Sequence, residues 1–102
     1  MKLESKDNMK EELLKINRYY GIMQQLKYIH REYFELDEAI FNYENNDHVA
    51  EELADVMCVL KQFQYYFNID DEEIESIMKY KIKRQLERIN LESKGKKWEQ
   101  HL

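Results

Sequence analysis

Proline is absent from this 102-residue sequence, and only two glycines interrupt it, Gly21 and Gly95. Without proline the commonest helix breaker is missing. With so little glycine, few positions favour a turn that needs positive φ. Strand-rich folds with many tight turns are therefore excluded. A lone cysteine, Cys58, rules out an internal disulfide framework and fits a reducing cytoplasm, the expected location. No apolar run approaches the ~20 residues that span a bilayer. The stretch from Met1 to Asp7 lacks the apolar core of a secretory signal. No membrane partner is expected. A net charge of −5 argues against general nucleic-acid binding. Histidine is scarce too. His30, His48 and His101 never follow a Glu by three residues, so the Glu-x-x-His pattern of di-iron bundles is absent. No Cys/His spacing for zinc is present either.

What remains is a chain rich in both apolar and charged residues, at 43% and 36%. That balance predicts an all-α, soluble, single helical domain over 1–102, with a core at about 22–91 and a tail at 92–102. A core of this size is modest, so assembly into oligomers adds stability. Four helices are expected. The first, about Asn8 to Tyr20, carries Met9, Leu13, Leu14 and Ile16. Gly21 marks a break. The second, about Ile22 to Tyr43, has a stripe of Leu26, Ile29, Tyr33, Leu36 and Ile40. Glu44-Asn45-Asn46-Asp47 reads as a turn and cap. The third, about His48 to Phe67, places Val49, Leu53, Val56, Met57, Leu60 and Phe63 on one face. Asn68 to Asp71 is the next turn and N-cap. The fourth runs from about Asp71 to Leu91, acidic at its start and basic at its end, in accord with its macrodipole. Short connections suit an antiparallel four-helix bundle.

Two acidic motifs flank the second turn. Glu32 and Glu35, with Glu38 one turn on, precede it; Glu52 and Asp55 follow it. Acids three residues apart share one side of a helix and repel one another. On a wheel of about 100° per residue they border the apolar stripes, where solvated charges are uncommon. Two such pairs across one hairpin suit a hard divalent cation, Mg²⁺ with Mn²⁺ as the alternative. Magnesium held by a few carboxylates completes its shell with water and substrate phosphates, so a phosphorylated substrate follows. Lys79, Lys83 and Arg84 share one side of the fourth helix and are the candidates to neutralise those phosphates. Glu35 or Glu38 is the candidate to accept a proton from an attacking water. Cys58, with no adjacent His, reads as a small buried hydrophobe.

These residues carry a family resemblance. Glu32 to Ile40 resembles the E-x-x-E-L-x-E-A-I segment of the MazG-like all-α nucleoside triphosphate pyrophosphohydrolases, and Glu51 to Val56 resembles their E-E-L-x-D-V segment. The resemblance covers roughly Gln25 to Arg88. It implies a helical dimer or tetramer whose four acids, Glu32, Glu35, Glu52 and Asp55, bind Mg²⁺. It also implies cleavage of (d)NTP to (d)NMP and pyrophosphate. Lys79 to Gln85 is similar to the family's basic segment, with Lys83 where many members have Asn. Tyr28 stands where a Lys often precedes the first Glu. The tryptophans that hold the base in some members are missing near the first helices; Tyr19, Tyr20, Phe41 or Tyr43 are the stand-ins. The base-binding residues stay open, as does the role of Trp98 in the tail. Two other readings stand beside this one: a non-catalytic helical dimerisation or regulatory module, and a nucleotide-binding member without hydrolysis.

Overall fold

Helix boundaries follow directly from the few residues able to stop a helix. The computed structural model describes residues 6–99, and the side chains of 8–95. Four helices make up the described residues: α1 (Lys6–Tyr20), α2 (Ile22–Phe41), α3 (Asn46–Tyr66) and α4 (Asp71–Glu99). Gly21 separates α1 from α2 with φ 90° and ψ 149°, a conformation that only glycine adopts without strain. Its N–H still donates to the Asn17 carbonyl at 2.7 Å, which closes α1. Asn45 caps α3, its side-chain oxygen accepting from the His48 N–H at 2.9 Å. Asn68 takes the left-handed region at φ 58°, which asparagine tolerates, and Asp70 then caps α4 by accepting from the Glu73 N–H at 2.7 Å.

Two compact units divide the chain, residues 1–68 and residues 69–102. In the first, α2 and α3 form a hairpin across the short 42–45 connection and pack most extensively, while α1 lies against both. The core is small: Leu13, Ala39, Val56, Val59 and Tyr65. Full burial of a side chain such as Leu13 or Val59 is worth about 1.5–3 kcal/mol. Tyr65 also carries two cations on its ring, with Lys10 of α1 at 5.4 Å and Lys61 at 5.5 Å from the centroid. Polar residues join this core. Gln62 on α3 accepts hydrogen bonds through Oε1 from Gln25 of α2 at 3.0 Å and from Asn17 of α1 at 3.4 Å. Three buried amides thus tie the three helices together.

The stripe expected to face the core of α2 is only half covered, Ile29 and Leu36 being half-buried. Gln25, Glu32 and Ala39 are the buried residues, while Leu26, Tyr33 and Ile40 are exposed. The reason is the width of the apolar surface. On α2, Ile22, Leu26, Ile29, Tyr33, Leu36 and Ile40 recur at alternating steps of four and three; on α3 and its C-cap, Val49, Leu53, Val56, Leu60, Phe63 and Phe67 do the same. The neighbouring helices cover half of each seam. Ile22, Ile29, Leu36, Val49, Val56 and Phe63 are buried or half-buried, whereas Leu26, Tyr33, Ile40, Leu53, Leu60 and Phe67 are exposed. The exposed set lies on average about 40° further round than the buried set on both helices. In an antiparallel pair, equal rotations open toward the same side, so the exposed apolar residues of α2 and α3 lie on one side of the hairpin.

The second unit is the single helix α4. It extends past Leu91, through Ser93 and Gly95, to Glu99, so the expected tail is helical over 92–99. Gly95 costs only about 1 kcal/mol in a helix interior, and the flanking Glu and Lys residues are good helix formers. The side chain of Trp98 lies outside the described residues. No helix in the described residues is long and apolar enough to cross a membrane.

Candidate metal centre

The helix hairpin brings Glu32 of α2 against Glu52 and Asp55 of α3. One carboxylate oxygen from each lies within 4.8 Å of the other two, a spacing that can close around one cation. The three differ in exposure: Glu32 is buried at 3%, Glu52 is half-buried and Asp55 is exposed. Glu52 Oε1 is buried with no hydrogen-bond partner. An orphaned anionic oxygen beside two further carboxylates is costly without a compensating cation. The donor set is all oxygen, which suits Mg²⁺ or Mn²⁺ and not a soft metal. The residues present therefore fit the cation expected from the sequence.

Electrostatics reinforce the point. Burial raises the Glu32 carboxyl above its ordinary value; the Tyr28 hydrogen bond opposes this, while Glu35, Asp55 and Glu52 push it further up. Tyr28 lies one turn earlier on α2. Its hydroxyl is itself raised, first by burial, then by the hydrogen bond to Glu32 and by the surrounding acids. Tyr28 thus occupies the place where the resemblance expects a Lys and supplies a neutral donor instead of a charge.

Glu35 and Glu38 sit one step away. With Phe34, His48 and Glu52 they line a shallow cleft of about 370 Å³. Glu52 is shared between this cleft and the close triad. Glu35 is therefore near the site but outside the group of three, and Glu38 lines the same cleft. His48 was not anticipated as a neighbour of these acids; its place four residues before Glu52 is the sequence signal for it. Lys79, Lys83 and Arg84 are exposed on α4, where the Arg84 guanidinium lies 5.7 Å from the Tyr80 ring centroid. They belong to the second unit and the acids to the first.

A larger cleft of about 460 Å³ opens on the other flank of Asp55. Gln25, Gln62 and Val59 form its buried wall, Tyr20 and Tyr28 supply aromatic rings, and Arg31 stands among its exposed residues. Of the four aromatic stand-ins named from the sequence, Tyr20 lines this cleft. Cys58 lines it as well and is exposed, which corrects the expectation of a buried hydrophobe. On the wheel Cys58 lies beyond the Val56–Val59 core face, on the side of Gln62 and Asp55. The amides escaped the sequence reading because Gln usually marks a solvated face. The signal was their register, Asn17 one turn after Leu13 and Gln62 three residues after Val59. No family model, curated protein or solved structure matches the chain, so its own geometry carries the interpretation of the site.

Proposed function

We propose that this protein is a Mg²⁺-dependent nucleoside triphosphate pyrophosphohydrolase of the MazG-like kind, cleaving (d)NTP to (d)NMP and pyrophosphate. The observation that carries the reading is the convergence of Glu32, Glu52 and Asp55, with a buried carboxylate and an orphaned carboxylate oxygen. Acids are seldom drawn together around a buried member such as Glu32 without a cation, because each raises the cost of ionising the next.

Glu32, Glu52 and Asp55 would hold the ion, with Glu35 at the edge of the set. When bound, Mg²⁺ supplies a Lewis acid for a triphosphate and lowers the pKa of a bound water. Tyr28 steadies Glu32 in its ionised form by hydrogen bonding. Glu35 and Glu38 line the adjoining cleft, where either accepts a proton from water. Binding of the phosphates by Lys79, Lys83 and Arg84 rests on their sequence pattern and on the need of an acidic protein for local positive charge.

The exposed apolar face of the α2–α3 hairpin supports assembly into a homo-oligomer. A second hairpin laid on that face would complete the half-covered seams in a four-helix arrangement. The same face is what favours the second reading, a non-catalytic helical dimerisation module. That reading leaves the buried Glu32 and the orphaned Glu52 oxygen unexplained. A cytoplasmic location accords with the single unpaired cysteine.

The test is a panel of canonical and damaged (d)NTPs assayed for pyrophosphate with and without Mg²⁺. The proposal expects Mg²⁺-dependent release, abolished in Glu52→Gln and Asp55→Asn while circular dichroism shows both variants folded. Full activity in both variants would sink it. A folded wild type inert across the panel would favour the dimerisation module, or a nucleotide-binding protein without hydrolysis if nucleotides bind.

A further inference from the structure

The cleft beside Asp55 has a graded wall. Its charged residues, Arg31 and Asp55, are exposed. Its buried wall is neutral: Gln25 and Gln62 are 4% and 3% exposed, and Val59 is 2% exposed. Tyr20 and Tyr28 add aromatic surface. A ligand matching this wall has a planar, neutral end against the amides and rings; Arg31 is the lining cation for an anionic end, which Asp55 opposes in the absence of a bound cation. The cleft volume of about 460 Å³ falls in the range of small-molecule sites, about 300–1,000 Å³.

We propose that this cleft is a nucleobase pocket, in which the amides of Gln25 and Gln62 read the hydrogen-bonding edge of the base while the phosphates lie toward the acidic triad. The inference rests on the nucleotide reading above and names the part of the protein that chooses the base. Within the amide cluster, Gln62 Oε1 accepts from both Gln25 Nε2 and Asn17 Nδ2. Neither bond uses the Gln62 amide N–H₂ or the Gln25 Oε1, and both residues line the cleft, so they offer a donor and an acceptor complementary to one acceptor and one donor on a base edge. Asn17 does not line the cleft; it is a positioning residue that holds Gln62 in this orientation. Buried amides discriminate strongly, because a base with the wrong edge leaves them unpaired. The pocket therefore selects one base over the others instead of accepting all.

Cys58 provides a readout independent of catalysis, being the only cysteine of the chain and exposed on the cleft wall. The experiment measures the rate at which the full wild-type chain reacts with a chromogenic disulfide reagent, without metal. Deoxyadenosine, deoxyguanosine, deoxycytidine, thymidine and deoxyuridine are added in turn, with deoxyribose phosphate as a control for the sugar and phosphate alone. One nucleoside should slow the reaction on the order of tenfold at about ten times its Kd. The other nucleosides should slow it far less, and deoxyribose phosphate not at all. In Gln62→Met the difference among nucleosides should collapse. Equal rates with all five nucleosides, or equal protection by deoxyribose phosphate, would overturn the pocket whatever the variant does. Pyrophosphate release without base-selective protection removes the pocket and leaves the enzymatic reading intact. Base-selective protection in a protein that releases no pyrophosphate keeps the pocket and removes the enzymatic reading.

Discussion

The Tyr28 hydroxyl donates a hydrogen bond to the Glu32 carboxylate one helical turn further along α2, so the most buried acid of the site is held by a neutral donor. A lysine there would have satisfied Glu32 by itself. A tyrosine leaves its negative charge largely uncompensated and available to a cation.

Replacing Glu32 by Gln tests this directly. The folded Glu32 carboxyl titrates above its unfolded value, chiefly through burial. Between those two values the folded state holds more protons than the unfolded state, so stability falls as pH rises through that window. Below the unfolded value the penalty is absent; above the folded value it is complete. Metal-free Glu32→Gln should therefore melt above the wild type at neutral pH, and the two should converge in acid. Mg²⁺ should raise the wild-type Tm and leave the variant unmoved. Thermal melts across pH, with and without Mg²⁺, check all of these outcomes.

Tyr28→Phe should keep the fold and weaken the metal. Loss of a hydrogen bond to a metal-binding carboxylate typically costs 10–100-fold in affinity, and the smaller figure, about tenfold, is expected at this partly exposed tyrosine. A Mg²⁺ titration followed by thermal shift gives the affinity. An unchanged affinity would mean that Tyr28 only fills space.

Gln62 bears on stability as well as on the cleft. In Gln62→Leu, the Asn17 and Gln25 amides lose their shared acceptor at 3.4 and 3.0 Å. Each buried donor left unpaired costs about 1–3 kcal/mol. Replacing all three amides together with apolar residues should recover most of that loss, because no orphaned group remains. Urea denaturation of the single and triple variants decides between these outcomes.

Charge on the exposed seam should disrupt assembly without touching the acids. Leu60→Lys alters an exposed side chain on the apolar face of the hairpin. Light scattering coupled to size exclusion should show the wild type as an oligomer and this variant shifted toward monomer. A wild type that is monomeric at high concentration would contradict the assembly.

Much of the fold was legible because its punctuation is chemical. Gly21 breaks α1 from α2, Asn45 caps α3 and Asp70 caps α4, each through a property visible in the residue itself. The orientation of α2 was less legible. Its apolar stripe is wider than the contact that α3 and α1 offer, and Gln25 and Glu32 won the buried side through hydrogen bonds that periodicity does not encode. The site divides in the same way. Spacing placed Glu32, Glu52 and Asp55 on facing helices, but not the relegation of Glu35 and Glu38 to a neighbouring cleft. That separation follows the rotation of α2, which buries Gln25, bonded to Gln62 of α3, and Glu32 on the same side.

The central claim is that Glu32, Glu52 and Asp55 form a divalent cation site. Its most direct test is a titration of the protein with Mn²⁺, followed by loss of the free-ion paramagnetic resonance signal. The account predicts saturable binding that Mg²⁺ displaces and that Glu52→Gln and Asp55→Asn abolish. Free Mn²⁺ signal undiminished by the wild type, or equal binding by the wild type and both variants, would contradict it.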